Sequence, residues 1–427
     1  MVKETADLSG LYSKLALSGS VRWEQLGSDL GGDEGIDPDP QKVTYNFDQG
    51  LPAPESIPVD DLRRLFSEVC ETVGPMAFEY FDPAVGYEEL VYGDAGLRES
   101  IAARLASRDK SDVGKMGVLL TSGSCQGISL AVHGFMDAGD GAIVENVTFP
   151  YTVKYIQNLG GHVGYAVVDK DGCDPDSVED QLRRLQAQGI KPKLVYVSGP
   201  TFQTPTGMTM PLERRRRLVE IVQKWGVICL EDTVYRDLRF EGEDLPSLMS
   251  LDDSGLVIQA DSFSKSVAPG LRLGWLAGRA DAIEAISAGR EDLGVSQMLA
   301  KTMKRFLDDG LYEPHVKRAS DILHRKRDAA IAAVREHVGD AVSFNVPQGS
   351  LYLWLKLSED VDWAQVQRNC FDAGIYCRPG ERFSNDPSFQ QFLRLQYSYT
   401  PVDEIERGIE IFGNAVHAAR KVGAGAS

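Results

Sequence analysis

Long apolar runs, a surplus of positive charge and any clustering of cysteine or histidine are all missing from this chain, and each absence removes a class of function. No stretch approaches the roughly 18 apolar residues of a membrane span. The opening Met1-Val2-Lys3-Glu4-Thr5 lacks the apolar segment of a secretory leader, so a cytoplasmic protein with no membrane partner is expected. Lysine and arginine number 45 against 63 aspartates and glutamates, a net charge of −18. That balance argues against nucleic acid as a partner, because phosphate-backbone affinity needs a basic footprint. The six cysteines (Cys70, Cys125, Cys173, Cys229, Cys370, Cys377) form no C-x-x-C pair, which excludes a zinc knuckle or a disulfide framework as the organising element. His315 and His324, nine apart, are the closest histidines and fit no ligand spacing on a helix, so no metal centre is expected.

What is present is ordinary globular material. The chain has 427 residues, 43% apolar and 25% charged, enough for two or three domains. About the first 45 residues are acidic and rich in Gly, Asp and Pro, with a short amphipathic patch at 11–17, and read as an arm. From Asp60 the positions Leu62, Leu65, Phe66, Val69 and Cys70 keep helical spacing. Short apolar runs then recur at 118–120, 142–144, 164–168, 194–197, 227–230, 257–260 and 273–276, with helical stretches between several of them at 126–136, 178–188 and 212–225. Runs of that kind belong to strands buried on both faces, hence to a mostly parallel sheet covered by helices. Ligands of such α/β sheets sit beyond the carboxyl ends of the strands. After about residue 308 the texture becomes α+β, with helices expected at 315–336, 363–373 and 402–418 and strands at 342–345, 350–356, 375–378 and 392–398. The tail at 423–427 is expected to be mobile.

Three clusters carry chemistry. The densest is Asp261-Ser262-Phe263-Ser264-Lys265-Ser266-Val267-Ala268-Pro269-Gly270-Leu271-Arg272-Leu273-Gly274-Trp275. An amine at a sheet mouth, flanked by hydroxyls and an arginine, suits an imine with a phosphorylated aldehyde cofactor, with Ser262 and Arg272 placed for its phosphate. A solvated turn is the bland alternative. Ser262-x-x-Lys265 also matches a serine-lysine acyl-transferase motif, but that motif needs a continuing helix and Pro269-Gly270 stops one within a turn. The second cluster, Thr121-Ser122-Gly123-Ser124-Cys125-Gln126-Gly127, opens a helix after a strand and can present backbone N–H groups and hydroxyls to an anion. Its letters also fit a cysteine version of a hydrolase nucleophile elbow or a plain turn. The third, Leu230-Glu231-Asp232-Thr233-Val234-Tyr235, ends a strand. A carboxylate there can pair with a protonated ring nitrogen, and Tyr235 can donate to a phenolic oxygen; a helix cap is the ordinary reading of such an acid.

These clusters in this order resemble the fold-type I pyridoxal-phosphate enzymes, specifically the class I/II aminotransferase family, nearest the α-aminoadipate/kynurenine aminotransferase group. The likeness runs from about Phe47 to Phe412, and the S-x-S-K-x-x-x-P-G-x-R-x-G-W string from Ser262 to Trp275 is its most specific part. The resemblance implies pyridoxal 5'-phosphate as cofactor. It also implies a large domain with a seven-stranded sheet over residues 60–307, a small α+β domain over 308–427, and an arm with part of the small domain over 1–59. The implied reaction is amino transfer between an α-amino acid and a 2-oxo acid. Elimination, β- or γ-replacement, cyclisation or carbon–carbon bond formation on the same fold is the alternative.

By the same resemblance Lys265 would form the imine and move the α-proton, Asp232 would pair with the ring nitrogen and Tyr235 with the phenolic oxygen. Ser122, Gly123, Ser124, Ser262 and Arg272 would hold the phosphate, and Phe149 in Glu145-Asn146-Val147-Thr148-Phe149 would stack on the ring. Tyr92 matches the tyrosine that reaches the partner subunit's phosphate, implying a homodimer with shared sites. Gly50 in Gln49-Gly50-Leu51-Pro52 matches the entrance loop, and Arg394 matches the arginine that clamps the substrate carboxylate. The family's N-P-T-G appears here as Thr204-Pro205-Thr206-Gly207, so a hydroxyl replaces the amide that donates to the phenolic oxygen. Val147 stands where proline is usual, and the loop after Tyr92 is shorter than the common form.

Overall fold

The computed structural model of the chain describes residues 43–48 and 50–421. The arm, up to residue 42, Gln49 and the tail from 422 lie outside them. The described chain opens with a short strand, β1 (Tyr45–Phe47), and the helix Val59–Val73. A large sheet follows, built from β2 (Val118–Thr121), β3 (Gly141–Glu145), β4 (His162–Ala166), β7 (Pro192–Val197), β8 (Ile228–Asp232), β9 (Val257–Ser262) and β10 (Gly274–Ala277). A small hairpin, β5 (Val168–Asp169) and β6 (Gly172–Cys173), interrupts the series. All seven apolar runs are therefore strands, but the run at 164–168 divides: β4 ends at Ala166 and Val168 opens the hairpin.

The order across the sheet is β2-β10-β9-β8-β7-β3-β4. Every pair is parallel except those of β10, which runs antiparallel between β2 and β9. Neighbouring residues of a strand fall in different cores: Val195 and Val197 pack on one face, Leu194 and Tyr196 on the other. Burial on both faces is why these strands read as continuous apolar runs and not as alternating ones.

The second sheet has the order β1-β13-β14-β12-β11, from β11 (Val342–Ser343), β12 (Tyr352–Leu357), β13 (Ile375–Pro379) and β14 (Phe392–Gln396). Its core joins Phe47 of the entering strand to Leu353, Leu355, Leu393, Leu395 and Phe412. The long helix Tyr312–Ala333 serves both units, placing Tyr312 and Val316 in the large-sheet core and Leu323, Ala330 and Ile331 in the small-sheet core. It starts three residues before the expected 315 and gives way at Val334–Val338 to one wider, π-type turn. Among the described residues seven α-helices lie outside the expected segments: the longer Ala95–Asp109, Pro150–Asn158, Ala280–Ser287 and Gln297–Asp308, and the short Glu88–Tyr92, Leu248–Leu251 and Phe263–Ser266. In Ala95–Asp109 the buried stripe of Leu97, Ile101, Ala102 and Leu105 also carries Arg98 and Asp109, so the contrast between its faces is weak. Among the described residues no helix is long and apolar enough to cross a membrane.

Candidate active site

Parallel strands finish at one edge of the sheet, and the register brings their ends together. Thr121 ends β2, Ser262 ends β9, and both pair with Gly274 at the start of β10. Glu145, Val197 and Asp232 end the strands on the other side of β9. The loops carrying Ser122, Phe149, Thr204, Asp232 and Lys265 therefore all emerge from this edge, where parallel α/β sheets bind ligands.

Gly123 has φ +82° and turns the chain from β2 into the helix Ser124–Phe135, directing that helix's N-terminus at the edge. The Arg272 guanidinium closes the same loop: its Nη2 donates to the Ser122 carbonyl at 2.8 Å, and a Cβ on Gly123 would lie 2.9 Å from that nitrogen. Ser122, Gly123, Ser124 and Arg272 thus form one cradle of a helix N-terminus, hydroxyls and a guanidinium, its loop held by the Ser122 amide donating to the Gln126 Oε1 at 2.6 Å and the Gly123 amide to the Thr121 carbonyl at 2.8 Å. Ser262 stands behind it with its hydroxyl already engaged. The oxygen accepts from the Ser264 amide at 3.0 Å, capping the short helix Phe263–Ser266, and lies 3.0 Å from the Leu273 carbonyl. The helix ends at Ser266, as Pro269-Gly270 led one to expect.

Lys265 projects from that helix, and its Nζ donates to the Gly50 carbonyl at 2.5 Å. The side chain keeps partial exposure, but the surrounding protein and then the Arg394 charge push its amine down to about 8. Asp232 is buried; its Oδ1 accepts from the Val234 amide at 3.3 Å and its Oδ2 from the Tyr196 hydroxyl at 3.0 Å. Burial raises its carboxyl to about 6, against the opposing pull of those bonds and of Lys265. Tyr235 is buried three residues on, its ring centroid 5.9 Å from the Lys265 amine, and burial pushes its phenol up. Thr204 is buried with its hydroxyl 3.1 Å from the Tyr352 hydroxyl. Phe149 is half-buried with its ring against Tyr151, centroids 5.2 Å apart.

The small sheet supplies the opposite wall. Arg394 on β14 is buried, its guanidinium lying 4.8 Å from the Phe383 ring centroid and 5.1 Å from that of Tyr352. Its Nη2 donates to the Asp48 carbonyl at 2.9 Å, while its Nε is buried without a partner. Gln396, two residues along the same strand and hence on the same face, likewise has a buried, unpartnered Oε1. Gly50 fits between them: a Cβ there would lie 3.8 Å from the Lys265 Nζ and the Gln396 Oε1 and 3.9 Å from the Arg394 Nη2. Tyr92 ends the helix Glu88–Tyr92 and packs in the core of its own chain, with the Arg98 guanidinium 5.4 Å from its ring centroid.

Several contributors were not singled out from sequence. Tyr196 lay inside an apolar run, although a buried tyrosine in mid-strand needs a partner for its hydroxyl. Arg378, the cross-strand partner of Arg394, pairs with both Asp48 oxygens through Nε and Nη2, and no motif announces it. Glu145 is fully buried and gathers the Ser198 amide at 2.8 Å, the Ser198 hydroxyl at 2.5 Å and the Gln203 amide at 3.2 Å, tying the 198–204 loop to β3. Desolvation raises its carboxyl to about 7.

An amine held near 8, a carboxyl beneath it, an anion cradle and an orphaned guanidinium nitrogen suit a phosphorylated aldehyde and an amino-acid carboxylate, and the residues present fit pyridoxal phosphate. Fold and site together define a fold-type I pyridoxal-phosphate enzyme. A family model described as aminotransferase class I and II matches residues 90–412, and the chain belongs to that family. It is 29% identical to the aromatic-amino-acid aminotransferase 1 of Thermococcus litoralis, over 87% of this chain and 88% of that one. It is 27% identical to the 2-aminoadipate transaminase of Thermus thermophilus, over 86% and 89%. Among solved structures it is similar to the Pyrococcus horikoshii kynurenine aminotransferase, with TM-score 0.86 and 26% identity over 98% and 99% of the two chains. The protein is accordingly a pyridoxal-phosphate-dependent aminotransferase of the kind related to the aminoadipate and kynurenine enzymes, and nothing in these likenesses favours the lyase alternative.

Proposed function

We propose that Lys265, Asp232 and Tyr235 are the catalytic groups of this aminotransferase and that Arg394 binds the α-carboxylate of its amino-acid substrate. Bound pyridoxal phosphate supplies an electron sink for the charge left when the α-proton departs. Lys265 attaches the cofactor and then carries that proton, a task suited to an amine whose acidity lies near the working pH. Asp232 holds the opposite charge at the ring nitrogen, kept in place by Tyr196. Tyr235 and Thr204 serve the phenolic oxygen, Phe149 stacks on the ring, and Ser122, Gly123, Ser124, Ser262 and Arg272 hold the phosphate. Gly50 leaves room for substrate between Lys265 and Arg394. The carrying observation is the convergence of the Lys265 amine and the Arg394 guanidinium on one point, 3.8 and 3.9 Å from where a Cβ on Gly50 would lie, with Asp232 as the nearby carboxyl.

The protein is proposed to act as a cytoplasmic homodimer in which Tyr92 completes the partner's phosphate site. Support comes from an apolar face at 78–87 and 293 where Phe78, Tyr80, Tyr87 and Leu293 are more than half exposed. The two segments adjoin, since Gln297 bonds the Tyr80 carbonyl and Gly294 packs on Leu90. The division at 59/60 and 307/308 is kept as the domain scheme, supported by the two separate sheet cores.

The test is a panel of α-amino acids led by aromatic residues, 2-aminoadipate and kynurenine, the classes named for the relatives. At least one should convert the bound cofactor to its amine form, and a 2-oxo acid should restore it. If no member of the panel does so, while the cofactor is bound, the amino-transfer assignment fails.

A further inference from the structure

Tyr352 is the side chain at which the two walls of the site meet. It opens β12 in the small sheet and is fully buried. The chain reaches it through Gly349, whose missing Cβ makes room for Phe202: a Cβ there would lie 2.1 Å from that ring. This close approach brings the small sheet directly onto the 202–204 loop. The Tyr352 hydroxyl then lies 3.1 Å from the Thr204 hydroxyl and 3.3 Å from the Gln203 carbonyl. Its ring meets the Tyr235 ring edge-on at 5.6 Å, and the Arg394 guanidinium lies 5.1 Å from its centroid. The Thr204 side chain is in turn a hydrogen-bonding neighbour of the Tyr235 phenol.

Hydrogen direction in this row follows from acidity and distance. A phenol is a stronger donor than an aliphatic hydroxyl. The Gln203 carbonyl has two lone pairs and accepts from the Gly207 amide at 2.7 Å, but its contact with the phenol, 3.3 Å, is the longer of the two. With the phenol donating along the shorter contact, the Thr204 hydroxyl accepts and its own hydrogen is left for an acceptor on the side away from Tyr352. Threonine alone has a freely turning hydroxyl that can donate or accept; with Tyr352 behind it, one direction is selected.

Resting on the aminotransferase reading above, we propose that Tyr352 is a positioning residue of the reaction. Its hydroxyl orients the Thr204 hydroxyl assigned to the cofactor's phenolic oxygen, and its ring seats the carboxylate-binding Arg394. A single side chain thus links proton placement at the cofactor to the grip on the substrate, and it answers the departure at Thr204, where an amide donor is replaced by a hydroxyl that needs orienting. The titratable and charged groups facing this row are Tyr235 and Arg394. Those facing the Lys265 amine are Arg394, Cys125, Asp232 and Arg272.

The experiment is a pH titration of the visible absorption of the Lys265-bound cofactor in the holoenzyme, for the parent, Y352F, T204V and the double variant, together with kcat and KM. Loss of the oriented donor leaves the phenolic oxygen more basic, so Y352F should raise the chromophore pKa by about half a unit to one unit. KM for the amino acid should stay within about twofold in Y352F, which keeps the ring, and rise about tenfold in Y352L, which removes it. In the T204V background Y352F should no longer move the titration, because the group it orients is gone. An unmoved titration in Y352F, or an equal shift with and without Thr204, overturns the proposal while leaving the aminotransferase reading intact. A parent protein with no bound chromophore overturns both.

Discussion

The amine of Lys265 should react as a base of pKa about 8 and not as an ordinary lysine near 10.5. Three causes act in the same direction: burial first, then the Arg394 charge and, least, the Arg272 charge. Low-dielectric surroundings disfavour the ammonium form, and the buried Arg394 guanidinium adds like-charge repulsion, while Asp232 and Cys125 pull weakly the other way. At pH 7 a group of pKa about 8 is roughly one-tenth free amine, whereas one at 10.5 is roughly 0.03% free amine. The site should therefore capture an aldehyde roughly 300-fold faster than a solvent-exposed lysine of equal nucleophilicity. Apoenzyme mixed with pyridoxal phosphate and trapped with borohydride, followed by peptide mass analysis, measures this residue by residue. The trapped fraction at Lys265 should rise tenfold per pH unit up to about 8 and then level. R394Q should move that midpoint to a higher pH, because the larger of the two like-charge contributions is removed. A rate at Lys265 that continues to climb past pH 9.5, in step with exposed lysines, would refute the electrostatic account. The linkage sign is also fixed: the folded state disfavours the proton, so the stability cost of the buried amine is present below pH 8 and is lost as pH rises through 10.5. K265M should accordingly stabilise the apoenzyme at neutral pH more than at pH 11.

Two further outcomes follow from buried guanidinium groups. R394Q should raise KM for the amino acid about 100-fold with a much smaller change in kcat, since the loss falls on a charge-assisted grip made before chemistry; equal falls in kcat and kcat/KM would contradict that role. Arg215 is fully buried and donates to the Met210, Pro200 and Pro246 carbonyls at 2.9, 2.8 and 2.7 Å and to the Thr201 hydroxyl at 2.8 Å. R215M should cost about 3–5 kcal/mol in denaturant unfolding, because three buried acceptors, the Met210 and Pro200 carbonyls and the Thr201 hydroxyl, lose their donor; a loss below about 1 kcal/mol would show that water or neighbouring amides replace it.

Much of the site was legible along the chain because strand-end loops concentrate it. Lys265, Asp232, Tyr235 and the Ser122–Ser124 loop each follow an apolar strand, and one short stretch of sequence carries each cluster. Tyr196 escaped notice because nothing local distinguishes a core tyrosine from one whose hydroxyl supports a carboxylate 36 positions away. Tyr352 and Gln396 escaped for the same reason: their importance comes from facing Thr204 and Gly50 across the gap between two sheets. Arg215 sits in the run Arg214-Arg215-Arg216-Arg217, which reads as a solvated charged face; three of its members lie at the surface and only helix phase buries the fourth.

Sequence alone determined the chemistry available: which residues close each strand, that a lysine with flanking hydroxyls and an arginine exists, and that threonine stands in the N-P-T-G position. Those features are short-range, and residue type with spacing expresses them. Only the tertiary structure decided which groups share an environment. The antiparallel insertion of β10 between β2 and β9 brings Arg272 to Gly123. Docking of the small sheet places Arg394, Gln396 and Tyr352 over the strand ends, and the surrounding mass lowers the Lys265 amine and raises the Asp232 carboxyl. Burial and charge act through space, so acidity and orientation at this site are properties of the packed chain and not of any segment of it.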